Sequence, residues 1–163
     1  MRRTYLGPMI LGLLGLSAIM LRCEAAPPPR RIDLSGTWNA DLAKSSFVAG
    51  APRPKKWFIV IQQDERQLIR AETFVGQDGK SSGMKMTFTL DGKENRNQMD
   101  GAELVTTCRW EGSSLLIEGA FEGGIWTEKL TLSPDGKSLH ATSSIKFPGG
   151  QTNDTDITYV RAK

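Results

Sequence analysis

The sequence predicts an all-β protein, a single antiparallel up-and-down β-barrel of roughly eight to ten strands. Two features lead there. Turn residues recur as Asp78-Gly79, Asp91-Gly92, Asp100-Gly101, Glu111-Gly112, Gly123-Gly124, Pro134-Asp135-Gly136 and Pro148-Gly149-Gly150. Their spacing, mostly about 9 to 13 residues, is that of successive hairpins. Between them run segments rich in Thr, Val, Ile, Phe and Trp that alternate in polarity, as in Met84-Lys85-Met86-Thr87-Phe88-Thr89-Leu90. Such alternation marks a strand with one buried face.

The elements follow in order from the N-terminus. Arg2 and Arg3 precede an apolar run from Leu6 to Leu21, and Cys23-Glu24-Ala25 ends in a small residue. This is the pattern of a signal peptide over residues 1–25, shorter than the ~20 apolar residues that span a bilayer. Pro8 also argues against a retained anchor, and Leu21-Arg22 before Cys23 is unlike a lipoprotein acylation site. The expected product is exported, periplasmic or secreted, without stable membrane insertion. Removing the segment lowers the formal charge from +3 to about +1, so nothing demands nucleic acid or an anionic membrane as partner. It also removes Cys23 and leaves Cys108 without an intramolecular disulfide partner. A disulfide scaffold and a cysteine metal cluster are thereby excluded, and stability must come from an apolar core.

Residues 26–31, Ala26-Pro27-Pro28-Pro29-Arg30-Arg31, read as an extended linker, and the barrel domain covers 32–163. Strands are expected near Gly36–Asp41, Trp57–Gln63, Gln67–Val75, Ser82–Leu90, Glu94–Gln98, Glu103–Trp110, Ser114–Phe121, Ile125–Ser133, Lys137–Phe147 and Thr152–Arg161. Glu94–Gln98 carries the weakest pattern. Short loops force neighbours to pair antiparallel, and closing the sheet removes its unpaired edges. A Greek-key sandwich would need a long crossover, and the one long connection is Leu42–Lys56, close to the N-terminus of the domain.

Leu34-Ser35-Gly36-Thr37-Trp38 resembles the Gly-x-Trp signature on the first strand of lipocalins, and the chain closes on Tyr159-Val160-Arg161. The resemblance implies a lipocalin-like barrel of the calycin type in which Gly36, Trp38 and Arg161 form the structural closure. Trp38 would plug the closed end with Arg161 packed across its ring, a cation–π contact where first and last strands meet. The Leu42–Lys56 segment resembles the loop that overhangs the mouth of such barrels. The pattern departs from lipocalins in having about ten strands and no C-terminal helix, closer to fatty-acid-binding proteins. Those grip a carboxylate with an Arg-x-Tyr pair, whereas here the order is reversed, so fatty-acid binding is not carried over. The nearest overall likeness is to small exported bacterial lipocalin-like proteins.

Alternation nominates Met84, Met86, Phe88 and Leu90, then Leu104, Cys108 and Trp110, then Trp126, Leu130 and Leu132, as inward residues. A Met- and aromatic-rich lining suits a small apolar or amphipathic ligand, although the same residues would also fill the core of a small barrel. Arg70 and Glu72 share a face with Leu68 and Phe74, and Glu128 lies between Trp126 and Leu130. Buried charges need partners, which predicts an Arg70–Glu128 pair or a polar ligand group in place of one partner. The alternative turns Arg70 and Glu72 to solvent and buries Ile69, Ala71 and Val75. The ligand-binding candidates are thus Arg70, Met84, Met86, Phe88, Trp110, Trp126, Glu128 and Tyr159.

Trp57-Phe58-Ile59-Val60-Ile61 is apolar on both faces, which predicts that its outer surface is covered by the Leu42–Lys56 loop, by the N-terminal tail or by another subunit, its own loop being the simplest cover. His140, the single histidine, falls on the face opposite the apolar set. Cys108 reads as a small core residue with no adjacent cation. No catalytic residue, cofactor signature or metal-ligand cluster emerges. The expected function is binding of a small lipophilic molecule by a monomer or weak dimer. The other reading is an envelope structural or protein-interaction module with a filled core.

Overall fold

The computed structural model describes residues 32–99 and 101–163; the expected signal peptide and linker lie outside the described residues. Ten strands form one antiparallel sheet: β1 Gly36–Ala40, β2 Lys56–Gln63, β3 Gln67–Val75, β4 Ser81–Thr89, β5 Asn95–Met99, β6 Ala102–Glu111, β7 Ser114–Phe121, β8 Gly124–Leu132, β9 Ser138–Lys146 and β10 Thr152–Arg161. Helix is absent among the described residues. The expected barrel is therefore present, at the upper end of the predicted strand number. Three strands, β3, β7 and β10, have the predicted bounds.

Strand order runs β4-β3-β2-β1-β10-β9-β8-β7-β6-β5. Every sequential neighbour from β1 to β4 and from β5 to β10 is a hairpin, and the ribbon joins where β1 meets β10 through Trp38↔Arg161 and Ala40↔Tyr159. Several of the hairpins turn on left-handed glycines. At Gly79, with φ of 80°, a Cβ would be strained, and Asp78 Oδ1 accepts from Lys80 N at 3.0 Å to fix the bend.

The seam between β4 and β5 closes differently. These strands share no backbone ladder, and two inward asparagines of β5 span the gap. Asn97 Oδ1 accepts from Thr87 N at 2.8 Å while its Nδ2 donates to Thr87 O at 3.0 Å. Asn95 Oδ1 accepts from Thr89 N at 3.0 Å. An asparagine amide carries the same donor and acceptor as a peptide group, so it satisfies an edge strand where no backbone is near enough.

The core divides along the barrel axis. The closed end is packed solid with Leu34, Trp38, Leu68, Phe88, Leu115, Leu130 and Leu139, all fully buried. Trp38 Nε1 donates to Leu34 O at 2.9 Å, so its one polar atom is satisfied. The Arg161 guanidinium lies 4.1 Å from the Trp38 ring centre and donates to Ser35 O at 2.6 Å and Gly136 O at 3.2 Å. A Cβ on residue 36 would collide with that guanidinium, which is the physical reason for glycine two residues before the tryptophan.

Connection 41–55 first continues along β10. Asp41 N donates to Thr158 O at 2.7 Å, and Ser46 and Asp156 exchange backbone hydrogen bonds. Phe47 then crosses to Trp57, with ring centres 6.0 Å apart. Trp57 lines the mouth, so this contact of the loop is with the barrel opening. Phe58 and Val60, on the outer face of β2, are half-buried.

Candidate functional site

At the mouth end the side chains leave space. A cavity of about 170 Å³ is lined by Trp57, Arg70, Glu72, Phe74, Met84, Met86, Met99, Trp126, Glu128 and Tyr159, among others. A wider cleft of about 740 Å³ lies outside it, lined by Phe47, Pro52, Arg53, Pro54, Trp57, Phe74 and the β3–β4 turn. Trp57 and Phe74 belong to both, with ring centres 4.6 Å apart. They form the partition between an inner chamber and an outer vestibule.

Register explains how the inner chamber acquires its charges. On β3, Arg70 and Glu72 alternate with Ile69 and Ala71, and the same face carries Leu68, which is fully buried. Arg70 is 3% exposed, Glu72 7% and Glu128 8%, which decides between the two sequence readings: the charged face points inward. Arg70 Nη1 reaches Glu128 Oε2 at 2.5 Å across the barrel, and its Nη2 lies 3.4 Å from Glu72 Oε2. The pairing of Arg70 with Glu128 expected from burial is present; Glu72 as a second partner went unanticipated. Trp57 Nε1 donates to Glu72 Oε1 at 2.7 Å, tying the partition to the cluster. Trp126 sits with its ring 5.6 Å from the Arg70 guanidinium carbon and donates to Ser143 Oγ at 2.9 Å.

Burial drives the electrostatics. It pushes the Glu72 carboxyl above its usual range; Arg70 opposes that, Glu128 adds to it, and the Trp57 hydrogen bond opposes it. For Arg70 burial opposes the charge, but attraction to Glu128 and then Glu72 outweighs it and holds the guanidinium above its ordinary value. The Tyr159 phenol is raised by burial and then by the two carboxylates. The Cys108 thiol is pushed up to about 12 by burial. A cation does act on it, since Arg70 lowers its value, which corrects the expectation that none was near; burial prevails all the same.

The structure gathers Arg70, Met84, Met86, Trp126, Glu128 and Tyr159 around one chamber. Two other candidates lie elsewhere. Phe88 is fully buried opposite Leu68 at the closed end, and Trp110 packs half-buried opposite Leu115. Alternation assigned their face correctly but carries no information about depth. Sequence reasoning missed Trp57, Phe74 and Met99 as chamber residues. Met99 belongs to the strand with the weakest pattern, whereas Trp57 and Phe74 could have been found as the inward aromatic positions where β2 and β3 approach the mouth. His140 is half-exposed on the outer surface, as its face predicts, with Nε2 2.6 Å from Asp156 Oδ1.

Among solved structures, the chain resembles zebrafish ileal bile acid-binding protein complexed with cholic acid, at 19% identity over 78% of this chain and 98% of that one, TM-score 0.56. It also resembles Echinococcus granulosus fatty-acid-binding protein 1, at 14% identity over 80% and 98%, TM-score 0.57. A third is secretory abundant heat soluble protein 4 from Ramazzottius varieornatus, at 17% identity over 79% and 94%, TM-score 0.59. At such identities the likeness is one of fold alone, that of an antiparallel β-barrel. No protein-family model and no curated protein matches the chain by sequence.

Proposed function

We propose that this chain is a carrier-type barrel that binds one small apolar or amphipathic molecule through its mouth. The observation that carries the reading is the two-compartment opening: an apolar vestibule of about 740 Å³ that shares Trp57 and Phe74 with a charged inner chamber. Its volume lies within the ~300–1,000 Å³ of small-molecule sites. The inner chamber alone has room for about six waters, at ~30 Å³ each, enough for a head group and too little for a whole ligand. The bile-acid and fatty-acid binding named for two of the structural neighbours supports the same reading. We extend the proposal to export directed by residues 1–25, tested by sequencing the N-terminus of the processed protein.

Nile red, a neutral lipophilic dye, tests the binding. Saturable uptake at one equivalent, with quenched tryptophan emission and roughly tenfold weaker binding in Trp57→Ala, is the expected result. No uptake, together with native mass spectra free of any retained small molecule, would overturn the carrier reading and leave an assembly module of the envelope.

A further inference from the structure

The charges within the inner chamber define the head group it accepts. One guanidinium, Arg70, stands between two carboxylates, Glu72 and Glu128, all three less than a tenth exposed. The cation is therefore already matched, and the chamber holds an excess of carboxylate. A ligand carboxylate would bring a third anion to one guanidinium in a poorly solvated space, where an unpaired charge is strongly disfavoured. Even on the guanidinium's open donor, Nε, it would lie beside Glu72 and Glu128, whose charges already exceed that of Arg70. An ammonium meets the opposite situation, since its charge balances the excess and its N–H groups donate to carboxylate oxygens.

Two further observations point to an incoming polar group. Arg70 Nε is buried and has no hydrogen-bond partner among the described residues, although its side chain lines the chamber. The cluster is one acceptor short, which an oxygen next to the ligand's nitrogen supplies. The chamber is also walled by the rings of Trp57, Phe74, Trp126 and Tyr159, and aromatic faces attract cations. Positive charge at the rim does not reverse this preference. Arg53 and Lys80 are solvent-exposed at the outer cleft, Lys80 is paired with Asp78 at 3.5 Å, and Arg53 lies over Phe47 at 5.2 Å; charges so exposed are screened by salt.

We propose, resting on the carrier reading above, that the ligand is a cationic amphiphile, an alkyl or aryl amine with an oxygen beside the nitrogen. Its ammonium sits against Glu72 and Glu128 and its apolar body lies in the vestibule past Trp57. The ligand class is thus set by an arginine that is already occupied.

Competition against bound Nile red with a matched series, octylamine, 2-amino-1-octanol, octan-1-ol and octanoate at pH 7, tests this. The two amines are expected to displace the dye at least about tenfold more effectively than octanoate, the range of one charge-assisted hydrogen bond, with octanol between them. Glu128→Gln is expected to narrow or invert the order by freeing Arg70 for octanoate. Should that variant fail to fold, Glu72→Gln gives a second reading, and the wild-type ranking decides without either. Octanoate equal to or tighter than octylamine overturns the cationic assignment while dye binding leaves the carrier intact. Failure of the dye and all four compounds to bind removes the carrier reading itself.

Discussion

Two arginines lie over two tryptophans in this barrel, one at each end of the interior, and their surroundings separate structure from function. Arg161 is 4.1 Å from Trp38 and spends its donors on the backbone carbonyls of Ser35 and Gly136. Everything around Trp38 is close-packed. Arg70 is 5.6 Å from Trp126, turns its two terminal nitrogens to buried carboxylates and borders empty space. Identical residue pairs thus make a plug in one place and a polar floor for a chamber in the other. What differs is whether the guanidinium's partners are neutral and fixed or ionisable and exposed to an entering molecule.

The comparison can be broken in several ways. Trp38→Ala is expected to give the largest loss, about 3–5 kcal/mol for a fully buried aromatic, read from denaturant unfolding and independent of pH between 5 and 8. Arg70→Ala comes next, at about 3 kcal/mol at pH 7, because two buried carboxylates lose their counter-ion. That loss shrinks by pH 4, where Glu72, raised above its usual 4.5 by burial, takes up its proton; an equal loss at both pH values would show that charge is not what Arg70 supplies. Arg161→Ala is expected to cost about 1–2 kcal/mol through the cation–π contact and two hydrogen bonds, with Nile red binding unchanged. Reduced dye affinity in that variant would collapse the division between the two ends.

The smallest effect is one of slope. Glu72 titrates above its usual 4.5 in the folded protein, burial being the main cause, so the folded state holds its proton longer than the unfolded chain does. Its contribution is fully present below 4.5 and is lost as pH rises through the folded value. Glu72→Gln should therefore become progressively more stable relative to wild type above that pH, by at most about 1.4 kcal/mol per unit. The groups facing Glu72 are Arg70, Glu128, Trp57 and Tyr159. Asp33, Asp41, Asp64, Asp91 and Asp135 are lowered by their hydrogen bonds; they act with opposite sign at acid pH and cancel in the difference. A difference that stays flat from pH 4 to 8 would rule out a raised Glu72.

Much of the fold was legible because its signals are local. Asp-Gly and Gly-Gly pairs set the turns, and period-two alternation set the faces, which is why β3, β7 and β10 fall where expected. Alternation also placed Arg70 and Glu128 on converging faces, and the need to pair buried charge did the rest. Depth along the barrel was not legible. Phe88 and Met84 share a strand and a face, yet one lies in the packed floor and the other in the chamber, because strand-to-strand register decides height. The closure of β4 on β5 was equally hidden, since it rests on side chains of a strand whose pattern is too polar to announce burial.

That closure has a consequence for how this barrel can change size. Everywhere else its circumference is fixed by ladders of peptide hydrogen bonds, which admit no intermediate spacing. At the fourth and fifth strands, among the described residues, side chains span the gap, with Asn95 and Asn97 reaching across to Thr87 and Thr89. Exchanging those amides for longer or shorter side chains re-gauges the container without unpicking a single ladder. The same two residues shield the bare strand margins from docking with a foreign strand, so capacity and resistance to aggregation are set at one place.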